Sequence, residues 1–159
     1  IMPVHYAGSL GNYDGIYKLA KENRLRVIED AAHAFGTRRN DKYVGSFGDI
    51  VCFSFDGIKN ITSGEGGCIT SSDKKIINKI KDLRLLGVIK DSEKRYSNKR
   101  TWEPSVNEQG WRYHMSDIMA SIGRIQLSKI DSLSNKRKKL ARKYDEIFAK
   151  SNKINTIKY

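Results

Sequence analysis

The sequence lacks any uninterrupted apolar run of about 18 residues, the minimum for a helix that crosses a membrane. Its first residues, IMPV, contain no basic leader followed by an apolar stretch, so no secretory signal is visible. Because Ile1 precedes the first methionine, we expect the chain to be a segment of a longer protein. These absences predict a cytoplasmic protein that makes no contact with a membrane.

Cysteine and histidine are both scarce, and neither has the spacing that is typical of metal sites. The two cysteines, Cys52 and Cys68, form no CxxC pair and lie in apolar, β-branched surroundings. We expect them to be buried, reduced thiols. The three histidines, His5, His33 and His114, form neither an HxxxH nor an HxH pair, which argues against a zinc site.

Charge is the one unusual total, since 30 lysines and arginines outnumber 18 aspartates and glutamates and give a net charge of +12. Such an excess is typical of nucleic-acid surfaces, but also of proteins that attract anionic small molecules. The lysines are scattered, and the basic cluster at residues 136–139 falls on the solvated turns of a predicted helix. We therefore expect a phosphate-bearing small molecule as the partner, and no nucleic acid.

Periodicity in the first third of the chain predicts a strand, a helix and a second strand. Residues 2–6 form a short apolar strand, Asp14 caps a helix, and residues 26–30 form a strand that ends in two carboxylates. This order over about thirty residues is typical of a βαβ unit, whose strands are parallel. The sequence therefore predicts an α/β fold.

Two further strands are predicted at residues 49–55 and 67–71, separated by a loop that contains a lysine. The first of them is nearly all apolar, which predicts a strand that is covered on both faces. A helix opened by Ser72 or Asp73 and ended by Gly87 comes next.

The last third is predicted to be a loop followed by helices. Residues 90–109 are polar and indicate a long loop. Ser116 caps a helix that breaks near residues 128–131 and then resumes.

Two residues at predicted strand ends have the chemistry of a functional site. Asp30 ends a parallel strand, where ligands of open α/β sheets bind, although a helix cap or a surface acid would give the same pattern. Lys59 lies just past a buried strand in a glycine-rich turn; a desolvated lysine is an amine nucleophile, whereas an exposed loop lysine has no such role. The glycines of residues 63–67 (SGEGG) match neither nucleotide-binding pattern and precede a strand, so they predict a tight turn.

Several motifs, in order, resemble those of the DegT/DnrJ/StrS sugar aminotransferases. Residues 27–36 (VIEDAAHAFG) are similar to the family's VIEDAAQAxGA. Residues 44–50 (VGSFGDI), 52–55 (CFSF) and 59–67 (KNITSGEGG) are similar to its VGSFGDIxxFSF and KNxTTGEGG. Residues 110–118 (GWRYHMSDI) resemble GxNYRMSDI, so the likeness covers nearly the whole chain.

The resemblance implies pyridoxal 5'-phosphate (PLP) as the cofactor and relates five residues to it. Lys59 matches the lysine that forms a Schiff base with PLP, and Asp30 matches the aspartate that pairs with the pyridine nitrogen. His33 stands at a Gln-or-His position near the ring and its phenolic oxygen, and Ser54 matches a serine that hydrogen-bonds the phosphate. Arg112 replaces an asparagine that reaches a phosphate across the dimer, and a guanidinium binds phosphate with a different geometry.

The resemblance also implies a PLP-dependent transferase fold of type I, like that of aspartate aminotransferase, with a mostly parallel sheet between helices. Residues 1–127 would be part of the PLP-binding large domain, and residues 128–159 a helical connection toward a C-terminal small domain. A homodimer would complete the site. The implied reaction transfers an amino group, with glutamate as the usual donor, to a keto sugar linked to a nucleotide, in amino-sugar or polysaccharide biosynthesis.

Other interpretations remain open. Relatives of this fold that dehydrate sugars have histidine where Lys59 stands, so the lysine favours transamination. Alternatively, the chain is a truncated, non-catalytic fragment of an aminotransferase. A nucleic-acid-binding protein would retain DNA or RNA in a salt-sensitive manner and show no cofactor absorbance.

Overall fold

The chain builds a three-stranded mixed sheet that is accompanied by helices. The computed structural model describes residues 1–88, 106 and 108–156. In chain order, the helices and strands among these residues are α1 (Tyr13–Glu22), β1 (Ile28–Asp30), β2 (Arg38–Arg39), β3 (Lys42–Tyr43), β4 (Ile50–Ser54), β5 (Gly67–Thr70), α2 (Lys74–Leu83), α3 (Asp117–Ser128) and α4 (Ile130–Phe148). The predicted α/β class is confirmed.

The strands of the main sheet lie in the order β1–β4–β5. β1 and β4 run parallel, with Asp30 opposite Cys52, and β5 runs antiparallel to β4, with Ile69 opposite Cys52. The short strands β2 and β3 form a separate antiparallel hairpin, and its turn residues Asn40 and Asp41 both have positive φ angles. Such angles are typical of two-residue hairpins, because asparagine and aspartate tolerate the left-handed region.

The first segment of the chain lies along β1, but it is less regular than the predicted strand over residues 2–6. The backbone N–H of Asp30 donates to the Pro3 carbonyl, and that of His5 donates to the Asp30 carbonyl, both at 2.9 Å. Val4 forms a single parallel bridge with Asp30. A 3-10 helix (Tyr6–Gly8) follows at once and bends the chain away, so the predicted strand has the right place and direction but the wrong extent.

Side-chain caps define where the helices begin. Asp73 caps α2 and Ser116 caps α3, as predicted. The predicted cap of α1, Asp14, is wrong, because Asn12 is the cap and its side chain accepts a hydrogen bond from Gly15 N–H at 3.1 Å. Asp14 lies inside the first turn, where a carboxylate interacts favourably with the helix dipole.

The predicted helix break is confirmed, since α3 ends at Ser128 and α4 begins at Ile130. Further upstream, α2 ends at Leu83, and Gly87, which was predicted to end it, closes the following turn by donating its N–H to the Asp82 carbonyl at 3.1 Å. The basic cluster at residues 136–139 is exposed on α4, as expected.

The predicted loop over residues 90–109 lies mostly outside the described residues. Val106, which is described, forms an antiparallel bridge with Val88. Within the described ranges, none of the helices combines the length and the apolar character needed to span a bilayer.

The two faces of the sheet are covered unequally. Because side chains alternate along a strand, residues that are opposite one another in the register share a face. On the covered face, Val51 and Phe53 are buried. On the other, which we call the open face, Ile28 and Ile69 are 41% and 40% exposed. The expectation that β4 is covered on both faces is therefore wrong. The side chains of the open face are those of Ile28, Asp30, Ile50, Cys52, Ser54 and Ile69.

The two cysteines are free and half-buried, rather than buried as predicted. Cys52 lies on the open face of β4, whereas Cys68 lies on the covered face of β5. Burial is the main reason why the pKa of each thiol is raised above its usual value.

A buried polar cluster lies on the covered face. His5 Nε2 lies 2.7 Å from Glu29 Oε2, and both side chains are almost completely inaccessible to solvent. Tyr17 and Tyr13 of α1 donate to Glu29 Oε1 at 2.5 and 3.3 Å. Burial, followed by the hydrogen bond to Glu29, raises the pKa of Tyr17 well above its usual value. A buried carboxyl group is costly unless it is paired, so this cluster ties the first segment and α1 to β1.

A substitution at Gly48 tests how much this cluster contributes to stability. Its φ angle is 94°, and an added Cβ would collide with Glu29 Oε1 and lie 3.0 Å from the Tyr17 hydroxyl. We predict that Gly48→Ala lowers the free energy of unfolding by about 2–4 kcal/mol, because backbone strain adds to the disruption of a buried hydrogen-bonded group. Urea unfolding followed by circular dichroism measures the loss.

Gly11→Ala is the matched control, because Gly11 also has a positive φ angle (57°) but no atom lies within 4 Å of the added Cβ. That variant should lose only the strain contribution of about 1–2 kcal/mol. Equal losses in the two variants would show that the packing around Glu29 is not important for stability.

Candidate active site

The carboxyl ends of β1 and β4 form the edge of the sheet at which the candidate residues meet. Asp30 is the last residue of β1, and Ser54 is the last residue of β4. The register places Cys52 opposite Asp30, so Ser54 lies two residues further along the same face, roughly 6–7 Å beyond it. The expectation that Asp30 ends a parallel strand is confirmed, and ligands of α/β sheets bind at such an edge.

Asp30 is held in place by its backbone and by one of its carboxylate oxygens. The Pro3 carbonyl and the His5 N–H pair with its backbone on one side, and Ala31 N–H donates to the Cys52 carbonyl at 2.8 Å on the other. Its Oδ1 accepts a hydrogen bond from Ala32 N–H at 3.0 Å. Within the described part of the chain Oδ2 has no hydrogen-bond partner, so it is free to accept one from a ligand.

Lys59 lies in the turn just past β4, and its side chain is half-buried. Its backbone N–H donates to the Asp56 carbonyl at 3.1 Å, and Asp56 Oδ1 accepts from Ile58 N–H at 3.0 Å. Two residues later Ile61 is only 4% exposed and anchors the loop in the core. The lysine is therefore held between a hydrogen-bonded turn and a buried isoleucine, rather than in a freely exposed loop.

The glycine turn after Lys59 packs against the start of α3. A Cβ at Gly64, whose φ angle is 88°, would lie 3.2 Å from the sulfur of Met119. A Cβ at Gly66, whose φ angle is 142°, would lie 2.5 Å from the terminal methyl of Met115. The tight turn predicted from these glycines is confirmed, and their missing side chains let α3 approach the lysine loop.

Ser54 ends β4, and His33 lies in the turn that follows Asp30. Ser54 is half-buried, and its Oγ accepts a weak hydrogen bond from Asp56 N–H at 3.4 Å. His33 is exposed in the turn after β1; its Nδ1 accepts from Ala7 N–H at 3.4 Å, and its ring meets the Tyr6 ring edge-on at 5.4 Å.

Unlike Asp30 and Ser54, Arg112 does not lie at the end of a strand of the main sheet. It is exposed and forms an antiparallel bridge with Leu85, just after α2. Among the residues that the structure describes, it forms no hydrogen bond to Asp30, Ser54 or Lys59. The structure thus places Asp30 and Ser54 at the carboxyl ends of β1 and β4, His33 and Lys59 in the turns that follow these strands, and Arg112 in the segment that pairs with Leu85.

Two features near the site were not singled out in the sequence. Asn60, next to Lys59, donates its side-chain N–H to the Phe35 carbonyl, and its Oδ1 is buried. Glu29, next to Asp30, is completely buried with His5 on the opposite face. A signal for the second existed, since a carboxylate in the middle of an apolar strand requires a buried partner. The contact of Asn60 has no such signal.

The arrangement combines three kinds of group at one edge of the sheet. A carboxylate with a free oxygen accepts a hydrogen bond from a protonated ring nitrogen, a hydroxyl binds a phosphate oxygen, and a primary amine forms a covalent bond to a carbonyl carbon. These groups belong to Asp30, Ser54 and Lys59.

Comparison with known proteins points to the same chemistry. A model of the DegT/DnrJ/EryC1/StrS aminotransferase family matches residues 1–159. The UDP-4-amino-4,6-dideoxy-N-acetyl-beta-L-altrosamine transaminase of Campylobacter jejuni is 38% identical over 158 residues, which cover 99% of this chain and 40% of that protein.

Solved structures have a similar fold. Helicobacter pylori PseC, an aminotransferase involved in the biosynthesis of pseudoaminic acid, gives a TM-score of 0.83 at 33% identity, over 94% of this chain and 38% of that one. Spr1654 of Streptococcus pneumoniae, assigned as a sugar aminotransferase, gives a TM-score of 0.86 in its PMP form and 0.82 in its PLP form, at 30% and 29% identity. Each match covers 95% of this chain, and 43% and 41% of the respective structure.

These matches confirm the predicted fold, an α/β fold like that of PLP-dependent sugar aminotransferases. The chain spans about two fifths of the length of the relatives that it matches, with shares of 38% to 43%.

The pKa of Cys52 depends on the charge of Asp30. The pKa of Cys52 is raised first by burial and then by the negative charge of Asp30, whereas Asp30 does not contribute to the raised pKa of Cys68. A negative neighbour disfavours the thiolate, so Asp30→Asn should lower the pKa of Cys52. We predict that alkylation of Cys52 by iodoacetamide shifts to lower pH in this variant. Mass spectrometry across a pH series measures both thiols. The pKa of Cys68 is raised by burial and by Cys52 but not by Asp30, so Cys68 should not shift to lower pH.

An unchanged Cys52 profile would contradict the placement of Asp30 beside it on the open face. Equal shifts in both thiols would indicate a general opening of the sheet instead.

Proposed function

This chain belongs to the DegT/DnrJ/EryC1/StrS aminotransferase family, and we propose that the whole protein is a PLP-dependent aminotransferase that aminates a keto sugar linked to a nucleotide. The observation that carries the proposal is the placement of Lys59 and Asp30. One lies in an anchored turn past β4, the other at the end of β1, and both are at the carboxyl edge of the sheet.

The donor set at this edge fits PLP by its chemistry. The free carboxylate oxygen of Asp30 suits a protonated pyridine nitrogen, the Ser54 hydroxyl suits a phosphate oxygen, and the Lys59 amine suits the aldehyde carbon. When bound, PLP supplies an electron sink for the substrate carbon that loses a proton.

The two central residues have different tasks in this proposal. The Lys59 amine would hold the cofactor, and its free Nζ would serve as the base that takes a proton from the substrate carbon and returns it. Asp30 holds the proton on the ring nitrogen. Its backbone N–H and carbonyl pair with the first segment, the adjacent Ala31 N–H pairs with β4, and its Oδ1 accepts a hydrogen bond. These contacts support the task, because a rigid carboxylate keeps its orientation.

His33 and Arg112 have supporting tasks. We assign His33 to the phenolic oxygen of the ring, since it lies three residues after Asp30 in the adjoining turn. We assign Arg112 to a phosphate group of the second subunit's site in a homodimer. Its exposed side chain supports a role in trans.

The substrate follows from the relatives and from the charge. The Campylobacter jejuni relative is named as a transaminase of a UDP-linked amino sugar, and a net charge of +12 favours a nucleoside diphosphate. We propose glutamate as the amino donor. We also propose that residues 1–127 belong to the cofactor-binding large domain and that residues 128–159, beyond the break between α3 and α4, lead toward a small domain.

The alternatives make different predictions. A dehydratase of this fold would need histidine in place of Lys59, and it would release no 2-oxoglutarate from glutamate. A non-catalytic fragment would leave Lys59 unmodified in this chain but modified in the whole protein.

We predict that PLP gives an absorbance band at about 410–430 nm with this protein, as expected for a protonated cofactor–lysine adduct. Borohydride reduction and peptide mapping should place the label on Lys59. Lys59→Arg keeps the charge and should abolish both the band and the label. Lys74→Arg, at the exposed start of α2, is the matched control and should retain both.

The whole protein should also form 2-oxoglutarate from glutamate and a UDP-linked 4-keto sugar. Labelling of Lys59 only in the whole protein would identify this chain as an incomplete enzyme. Absence of the label from both forms would refute the proposed role of Lys59.

A further inference from the structure

Asn60 joins the two segments that carry the proposed catalytic groups. Its side-chain N–H donates to the backbone carbonyl of Phe35. Phe35 belongs to the turn that follows Asp30, whereas Asn60 directly follows Lys59. This hydrogen bond is therefore a direct link between the segment of the carboxylate and the segment of the amine.

The acceptor end of this link is fixed. The Phe35 ring packs edge-on against the rings of Phe53 and Phe55, at centroid distances of 5.3 and 5.6 Å. Its backbone continues a hydrogen-bonded turn in which Ala34 N–H donates to the Ala31 carbonyl at 2.9 Å. The Phe35 carbonyl therefore has a defined position relative to Asp30, which begins the same turn.

The donor end is less constrained without Asn60. On its N-terminal side, Lys59 is held by the hydrogen bond of its backbone N–H to the Asp56 carbonyl. On its C-terminal side, it is held by the buried Ile61. The hydrogen bond to Asp56 lies within the lysine loop and does not reach the turn after Asp30. The Asn60 amide supplies that connection, so it sets where the lysine backbone lies relative to Asp30.

The environment of the amide oxygen of Asn60 is unusual. Asn60 Oδ1 is buried and has no hydrogen-bond partner within the described ranges. The bond to Phe35 fixes the orientation of the amide, so the oxygen cannot exchange places with the nitrogen without losing that bond. A buried, unpaired carbonyl is unfavourable. Its presence one residue from the proposed catalytic lysine favours a functional explanation over a purely structural one.

We propose that Asn60 is a positioning residue that sets the distance and orientation of Lys59 Nζ relative to the ring nitrogen partner Asp30. This inference rests on the proposed function, since it assigns a task toward a cofactor bound by both residues. Asn60 itself needs no contact with the reacting atoms.

The test compares Asn60→Ala and Asn60→Asp with Ser63→Ala in the whole protein. Asn60→Asp keeps the volume of the side chain, but an ionised carboxylate does not donate to the Phe35 carbonyl. Ser63 is the matched control, because its buried hydroxyl donates within the same loop, to the Glu65 carbonyl at 2.7 Å, and makes no link to the turn after Asp30.

Two measurements separate positioning from a loss of structure. Hydrogen–deuterium exchange without cofactor should become faster in both segments, 31–37 and 56–61, in the Asn60 variants, but only around residues 63–67 in Ser63→Ala. With PLP bound, Lys59 should still be labelled, but the pH midpoint of the absorbance band should move. The kcat should fall roughly 10–100-fold with little change in the KM for glutamate, as expected for a misplaced catalytic group.

The outcomes are distinguishable. If wild-type Lys59 is not labelled, the proposed function fails. If wild type is labelled but both Asn60 variants match Ser63→Ala in exchange, pH midpoint and kcat, the positioning role is wrong while the proposed function stands. If Asn60→Ala fails to fold, Asn60→Asp decides between these results.

Discussion

The arrangement of this chain depends on the hydrogen bonds of the buried carboxyl group of Glu29. It lies on the covered face of β1 and receives hydrogen bonds from α1, while His5 of the first segment lies against its other oxygen. An unpaired carboxyl in this position would strongly destabilise the fold, so its partners are obligatory. One side chain thereby requires that the first segment, α1 and β1 assemble together. Gly48 is part of the same requirement, because only a residue without a side chain leaves room for the carboxyl.

Because side chains alternate along β1, the contacts that stabilise Glu29 also affect Asp30, the adjacent candidate-site residue. Glu29 and Asp30 are neighbours in sequence, so their side chains point to opposite faces of the sheet. The hydrogen-bond partners of Glu29 contact β1 from the covered face. The backbone of His5 also pairs with Asp30 itself. The open face is thus left to Asp30, Cys52 and Ser54, with a rigid strand beneath them.

Much of this could be predicted from the sequence, but only where the deciding forces are local. Asp73 and Ser116 are helix caps whose role depends on the few residues after them; Ser116 was predicted, and Asp73 was one of two predicted candidates. The prediction of Asp14 as the cap of α1 was wrong because Asn12, two residues earlier, is also a good cap, and the sequence does not indicate whether Tyr13 is already helical.

The features that could not be predicted depend on contacts between distant residues. The extent to which β4 is covered depends on what packs on it, and its apolar sequence alone suggested two covered faces. The bond from Asn60 to Phe35 spans 25 positions in the chain and follows no periodicity. The candidate site was found because strand ends, glycine turns and a family resemblance are visible in sequence. The contacts that hold its parts together could not be predicted from the sequence.

The two proposed catalytic groups differ in how firmly they are held, and this difference suits their chemistry. Asp30 ends a strand with backbone pairing on both sides and a hydrogen bond to its carboxylate, so its position is fixed. Lys59 lies in a turn between Asp56 and Ile61, where the backbone is anchored and, within the described ranges, no hydrogen bond or ion pair fixes the side chain. A group that only holds a proton on a ring nitrogen benefits from rigidity. A group that must bond to the cofactor, leave it and then carry a proton between two carbon atoms needs to move while its base stays in place. A strand end provides the first property and an anchored turn the second, which is why the sheet edge and its loop together form a better site than either element alone.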